Sequence, residues 1–227
     1  MVAPEPRFAR VAAMIGDPTR ARMLAALMGG QALSAGELAQ AAGVGASTAS
    51  THIAQLVDNE LVELRVQGRH RYLRLADAEI AHALEALSLV AERRAGASKW
   101  DQPAYKPLKA ARSCYTHLAG ELGVALFDGL RREHTLQPCD GGYVLSDAGR
   151  AQWQALGLPD DALNGGARRF AYPCLDWSER RDHLAGRFAS AVLEHGLAND
   201  WLRRVGDTRA LRLTPKGRAA LAPWLPR

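Results

Sequence analysis

At 227 residues, with 48% hydrophobic and 23% charged side chains, the chain has the apolar content for one large core or two small ones, which excludes a disordered polymer. Three cysteines make no disulfide framework, so a reducing cytoplasm is the expected location; Met1-Val2-Ala3-Pro4-Glu5-Pro6 lacks the basic start and apolar core of a secretion signal, and no apolar run is long enough to span a bilayer. The net charge of +5 is unevenly placed: residues 1–95 hold ten Lys and Arg against ten Asp and Glu, leaving nineteen against fourteen in 96–227, so a nucleic-acid partner has to be argued from local clustering and not from overall basicity.

In chain order, Asp17 before Pro18 is an N-cap with proline at the first helical position, followed by Leu24, Leu27 and Met28 at helical spacing and a stop at Gly29-Gly30. Ser34-Ala35-Gly36-Glu37 is a capping box that starts a second short helix, with Leu38 and Ala41 facing inward and Gly43 as its left-handed end. The turn Gly43-Val44-Gly45 is as short as a helix-turn-helix requires.

The third helix, Ser47 to Leu56, is predicted to carry an apolar stripe of Ala49, Ile53, Leu56 and Val57. Thr48, Thr51, His52 and Gln55 share the opposite face, and with Ser47 and Ser50 they are the candidate base-edge contacts, Gln55 having the amide geometry for a bidentate contact to adenine. Alternating Val62, Leu64 and Val66, then Leu73 and Leu75, predict a hairpin turning at Gln67-Gly68-Arg69. Residues 65–74 contain Arg65, Arg69, Arg71 and Arg74 and no acid, so Arg65, Arg69, His70 and Arg71 are candidate phosphate or minor-groove contacts.

The run Ser50-x-His52-Ile53-x-x-Leu56, then Leu61-Val62, then Gly68-Arg69-x-x-Tyr72-Leu73-x-Leu75, together with Leu24-x-x-Leu27 behind Asp17-Pro18-Thr19-Arg20, resembles the ArsR-type winged helix-turn-helix repressors over about the first 95 residues. That resemblance implies a homodimer on an inverted repeat in double-stranded DNA, usually a repressor released by an effector. The family's common metal sites do not carry over: Glu37-Leu38-Ala39-Gln40 has no cysteine pair, and Asp77 and His82 have no further carboxylate–histidine ladder beside them.

Asp77 is expected to cap a helix whose Ile80, Ala83, Leu84, Leu87, Val90 and Ala91 form one broad apolar face, for self-association or for packing on the rest of the chain; Glu92-Arg93-Arg94 and then Gly96 end it. Residues 96–107 read as a linker between a DNA-binding and dimerisation domain, 1–95, and a C-terminal lobe, 108–227. That lobe contains an internal duplication. His117-Leu118-Ala119-Gly120 recurs as His183-Leu184-Ala185-Gly186, and the distance from this His to the later Gly-Arg is 32 residues in one copy and 34 in the other. The expected fold is therefore mainly α with small β-hairpin wings: a winged helix-turn-helix plus a C-terminal lobe of two repeated helix–hairpin–helix units.

Cys114 lies three residues before His117, on one face of an expected helix, and Cys174 lies nine before His183, with Asp176 and Trp177 between. Two Cys/His half-sites would complete four ligands for a borderline metal, the thiols could form an oxidant switch, or all four could simply pack; no particular metal or cofactor is indicated. Asp176 and Trp177, with Glu179, Arg180 and Arg181, are candidates to line a pocket for a polar or anionic effector or, equally, to form the solvated start of a helix, whereas Cys139 beside Pro138 reads as exposed and incidental. The extended C-terminus resembles longer ArsR-like regulators with an appended domain. The expected function is a sequence-specific transcriptional regulator sensing a small ligand, metal or oxidant, and not an enzyme. A constitutive DNA-binding protein, a cysteine-dependent enzyme and a winged helix used only for protein contacts are the alternatives; no glycine-rich phosphate loop, nucleophile elbow or paired-carboxylate signature supports the enzyme.

Overall fold

The computed structural model describes residues 7–68, 70–92, 105–164, 169–206 and 208–226. The chain divides into two compact units, Met1–Ala83 and Leu84–Arg227. No helix among the described residues is long and apolar enough to cross a membrane.

The first unit runs α1 (Arg7–Ile15), α2 (Pro18–Leu27), β1 (Leu33–Ser34), α3 (Ala35–Ala42), α4 (Ala46–Asp58), β2 (Val62–Gln67), β3 (His70–Leu75) and the start of α5 (Ala78–Glu92). The helix starts form where local chemistry places them. The Asp17 carboxylate accepts from the Thr19 and Arg20 amides at 2.9 Å each, Ser34 and Glu37 complete a reciprocal capping box, and Gly43 ends α3 at φ 68°, in the left-handed region that glycine tolerates. Met23, Leu24, Leu27, Leu38, Ala49, Leu56, Leu73 and Leu75 are all buried, so the helices and the hairpin close on one small core. The sheet order is β1-β3-β2, with Leu33 opposite Leu73 and Leu64 opposite Leu73 on its other side.

The division between the units falls inside α5, whose first turn is capped by Asp77 through the Ile80 amide at 2.9 Å. Its apolar residues do not act as one stripe: Ala81 and Leu84 are buried, whereas Ala83, Leu87, Val90 and Ala91 are exposed. Residues 93–104, which include Arg93, Arg94 and most of the expected linker, lie outside the described residues, and Lys106–Ala110 forms a short helix, α6.

The second unit continues β4 (Arg112–Cys114), β5 (His117–Ala119), α7 (Gly120–Arg132), β6 (Leu136–Cys139), β7 (Gly142–Leu145), α8 (Asp147–Ala155) and α9 (Asp160–Leu163). It then runs β8 (Tyr172–Leu175), β9 (Asp182–Ala185), α10 (Arg187–Ala198), β10 (Leu202–Arg204), β11 (Leu211–Leu213) and α11 (Pro215–Ala220). Hairpin, helix, hairpin, helix thus occurs twice in order. The expected helix carrying Cys114 and His117 is instead the β4–β5 hairpin: Tyr115 at φ 56° closes a two-residue turn, and a segment of three-residue strands is too short for periodicity to separate helix from strand.

The shared His-Leu-Ala-Gly has a physical reason at its last position. Gly120 and Gly186 sit at φ 80° and 100°, and a Cβ on them would lie 2.5 Å from the Lys109 carbonyl oxygen and 2.6 Å from that of Phe170. Each glycine lets a strand turn directly into a helix against another backbone. The two series interlock, since Arg112 of the first hairpin bridges Ala210 and Tyr143 bridges Ala171. Their common core includes Phe127, Leu130, Phe170 and Phe188, and the Trp153 and Trp224 rings stack at 4.6 Å and 1°.

Candidate functional site

The exposed face of α4 is built by what lies beneath it. Ala49 and Leu56 are buried, which turns Ser47, Thr48, Ser50, Thr51 and Gln55 outward, all of them exposed. The Ser50 hydroxyl donates to the Ala46 carbonyl at 2.9 Å and that of Thr51 to the Ser47 carbonyl at 3.3 Å, which commits their protons and leaves their oxygens to accept. His52 departs from the expected set, because it is half-buried, with Nδ1 3.7 Å from the Asp17 carboxylate and 3.4 Å from Arg20 Nη1. Arg20, nearly buried on α2, also donates to Gln55 Oε1 at 2.6 Å. One lone pair of that amide oxygen is therefore engaged before any base arrives, and the amide plane is fixed.

The wing is less cationic than its arginine count. Glu63 pairs with Arg65 at 3.0 Å along the same strand and with Arg74, its direct cross-strand partner, on the same face. The hydrogen bond from Arg74, then that from Arg65, holds the Glu63 carboxyl below its ordinary range against the opposing effect of burial. An acid two residues outside the 65–74 window thus engages two of the four arginines and cancels one of their charges. Arg71 lies opposite Val66 on the other face, while His70 lies opposite Gln67 on the Glu63 face; both are exposed. Arg69 lies outside the described residues.

In the second unit, Cys114 and His117 are direct cross-strand partners in the β4–β5 hairpin, and Cys174 and His183 are direct partners in the β8–β9 hairpin. Each hairpin thereby puts one thiol and one imidazole on a single face. The two pairs meet: one ligand atom from each of the four residues lies within 4.8 Å of all the others, and the two Nε2 atoms are 3.1 Å apart. Cys114 and His183 are fully buried, His117 is 3% exposed, and Cys174 is half-buried.

Asp176 and Trp177 do not line an open pocket as expected. Both are buried, Asp176 against Arg112 and the Gly120 amide and Trp177 under the Arg112 guanidinium. The Asp176 Oδ1 accepts from Arg112 Nη2 at 2.8 Å and from the Ser178 hydroxyl at 2.8 Å, and its Oδ2 accepts from the Gly120 amide at 2.7 Å. Oδ2 also lies 3.2 Å from His183 Nδ1, off the line of a well-formed hydrogen bond. The Arg112 guanidinium covers the Trp177 ring at 4.2 Å. Burial opposes ionisation of Asp176, yet His183 and Arg112 hold its carboxyl well below the ordinary range. Burial likewise opposes charge on His183, while Asp176 and the Cys174 sulfur raise its pKa to about 9. Of the two thiols, Cys174 is the more acidic, because Cys114 donates to it and the two histidines stand beside it; accepting that role, with burial, pushes Cys114 up. Cys139 is exposed and belongs to neither group.

The helix-turn-helix domain family matches residues 15–65. Over the whole chain, 220 residues are 36% identical to YdfF of Bacillus subtilis (strain 168), an uncharacterized HTH-type transcriptional regulator, covering 97% of each protein. The chain belongs to the HTH-type transcriptional regulators. Its first unit places a helix-turn-helix before a hairpin wing, and the motifs from Asp17 to Leu75 resemble the ArsR type. Among solved structures, the homodimeric winged helix-turn-helix domain of Mb0332 from Mycobacterium bovis is 26% identical with a TM-score of 0.36, over 41% of this chain and 93% of that one. The cadmium metal-sensor CMTR of Mycobacterium tuberculosis is 37% identical with a TM-score of 0.32, over 35% of this chain and 81% of that one.

Three functional positions in the regulator were not anticipated from sequence. Arg20 orients Gln55, Glu63 pairs with two of the wing's arginines, and Arg112 buttresses Asp176. Each acts through a partner 11 to 64 residues away, and neither composition nor periodicity encodes such a pairing.

Proposed function

We propose that the regulator is a homodimeric, sequence-specific repressor that reads an inverted repeat in double-stranded DNA and is released by an effector acting on its C-terminal unit. The face of α4 carries this reading: Thr48, Thr51 and Gln55 are exposed one above another, over a buried Ala49 and Leu56, on the second helix of the helix-turn-helix formed by α3 and α4. Acceptor oxygens on the serines and threonines suit the amino donors of adenine and cytosine in a major groove, and Gln55 offers a further donor and acceptor. Arg71 and His70 on the wing supply contacts to the sugar–phosphate backbone, which set register and carry no base information.

Two exposed apolar pairs support dimerisation: Phe8 and Val11 on α1, and Leu87 and Val90 on α5, each three residues apart and so on one helix face. A second copy covering them would also double the cationic wings, which a near-neutral N-terminal part needs for useful affinity. An effector releases such a dimer only by binding unequally to the forms that do and do not match the half-site spacing.

Selection of bound fragments from random duplex DNA tests the reading. It predicts recovery of an inverted repeat whose half-sites are about one helical turn, roughly 10 base pairs, or a multiple of it apart. Recovery of fragments with no shared sequence, or of a single unrepeated half-site, contradicts the sequence-specific dimer.

A further inference from the structure

We propose that Cys114, His117, Cys174 and His183 form a closed four-coordinate site for a zinc-class divalent cation, which ties the β4–β5 and β8–β9 hairpins together. The inference goes beyond the DNA-binding reading and uses none of its residues.

The placement of the donors carries it. Each hairpin contributes one directly paired cysteine and histidine, so two like half-sites, 60 residues apart at the cysteines and 66 at the histidines, face one another. All four donor atoms converge within 4.8 Å. Two imidazole nitrogens bound tetrahedrally at about 2.0–2.1 Å from zinc stand roughly 3.3 Å apart; the observed separation between the two Nε2 atoms is 3.1 Å. In the bare chain these four groups hydrogen-bond one another, the two Nε2 atoms at 3.1 Å and Cys174 with Cys114 and both histidines; one cation bound at their common point replaces those contacts with four bonds.

The surroundings have the parts such a site needs. Asp176 stands behind His183 on the Nδ1 side, so the ring presents Nε2 to the cluster, as outer carboxylates orient metal-bound histidines. Asp176 is itself fixed by Arg112, Ser178 and the Gly120 amide. Cys174 is the one donor not buried and provides the way in. Two sulfurs and two nitrogens select against magnesium and calcium, which take oxygen, and in favour of zinc, cadmium or cobalt. Four protein donors leave no open position, so the ion is structural or regulatory and not catalytic.

Cobalt(II) tests this directly with the full-length chain, reduced and freed of metal. One equivalent per chain is expected to give the intense d–d bands of tetrahedral cobalt and a thiolate-to-cobalt charge-transfer band, both abolished by one equivalent of zinc. Zinc is also expected to raise the thermal unfolding midpoint of this chain. In Cys174→Ser the charge-transfer band falls to about half or less and the zinc-induced shift is lost, whereas Cys139→Ser behaves as the parent. A folded, reduced chain that shows no thiolate–cobalt band overturns the site, and so does a Cys174→Ser chain with the parent spectrum and shift. Recovery of Cys114 and Cys174 as a disulfide from freshly reduced protein that takes up no cobalt points to a redox pair instead and equally overturns it. Because occupancy is read without DNA, failure of this test and failure to bind an operator are separate results.

Discussion

Arg20 on α2 donates to the Oε1 of Gln55 on α4 at 2.6 Å, so the side chain proposed to read a base is held by a nearly buried residue of another helix. The same guanidinium also donates to the Met14 carbonyl at 2.7 Å and the Ala13 carbonyl at 3.0 Å, which anchors it to the end of α1. Preorganisation of this kind removes rotamer entropy that Gln55 would otherwise lose on binding. Gln55→Ala is expected to change base preference at one symmetric pair of operator positions, at about 1–3 kcal/mol per good bidentate contact. Arg20→Met is expected to weaken the same preference while leaving the salt dependence unchanged. Competition binding over single-base operator variants measures both; an unaltered preference in Gln55→Ala removes that residue from base reading.

The wing predicts a gain of function. Glu63 occupies Arg65 and Arg74, so Glu63→Gln frees two cations for phosphate. Affinity for DNA is expected to rise, and the slope of log K against log salt to steepen by about one to two units. Protonation reaches the same state only in acid. The Glu63 pKa is lowered from its ordinary 4.5, so the ion pairs are intact above that value and are lost as pH falls through the lower, folded-state value. Between pH 6 and 8 the parent and the variant should therefore differ by a constant amount. A variant with the parent's affinity and slope places Arg65 and Arg74 away from the DNA.

Inside the second unit, the buried Glu85 of α5 pairs with Arg209 at 2.9 Å, and Arg209 leans over Trp177 at 5.8 Å. Removing one partner of a buried pair leaves a charge without compensation, so Arg209→Met is expected to cost about 3–5 kcal/mol. Replacing both, as Glu85→Leu with Arg209→Met, is expected to recover most of that loss, because the desolvation penalty disappears together with the pairing. Denaturant titration followed by tryptophan fluorescence reports on this unit, where Trp153, Trp177, Trp201 and Trp224 are buried. A double variant as unstable as the single one contradicts the assignment of the loss to an unpaired Glu85.

Much of the first unit is legible in sequence because its signals are local. Asp17-Pro18, Ser34 with Glu37, and Gly43 act within one helical turn of themselves, so each fixes an end wherever the rest of the chain goes. The hairpin at Gly68 follows from alternation alone. Helix α1 has Phe8, Val11 and Ile15 at helical spacing, but no cap residue marks its start among the described residues, so the local signal that delimits α2 and α3 is lacking there. Strand β1 is two residues long and exists only by pairing with β3. The broad apolar face expected on α5 divides into buried and exposed residues, which depends on what packs against each side.

The Cys/His residues show the same limit from another side. A helix at i, i+3 and a tight hairpin both bring Cys114 and His117 to one face, so their proximity can be inferred without the correct secondary structure. The inward turn of Asp176 cannot, because it depends on Arg112 waiting 64 residues earlier in the chain.

Whether α4 and the wing grip duplex DNA is settled by a salt titration of the pure full-length chain on its selected operator. Log K is expected to fall linearly with log salt, by about 0.9 per phosphate neutralised, and Arg71→Ala to flatten this line by about one unit. A folded protein that ignores every duplex at low ionic strength, or an Arg71→Ala line superimposable on the parent's, contradicts it.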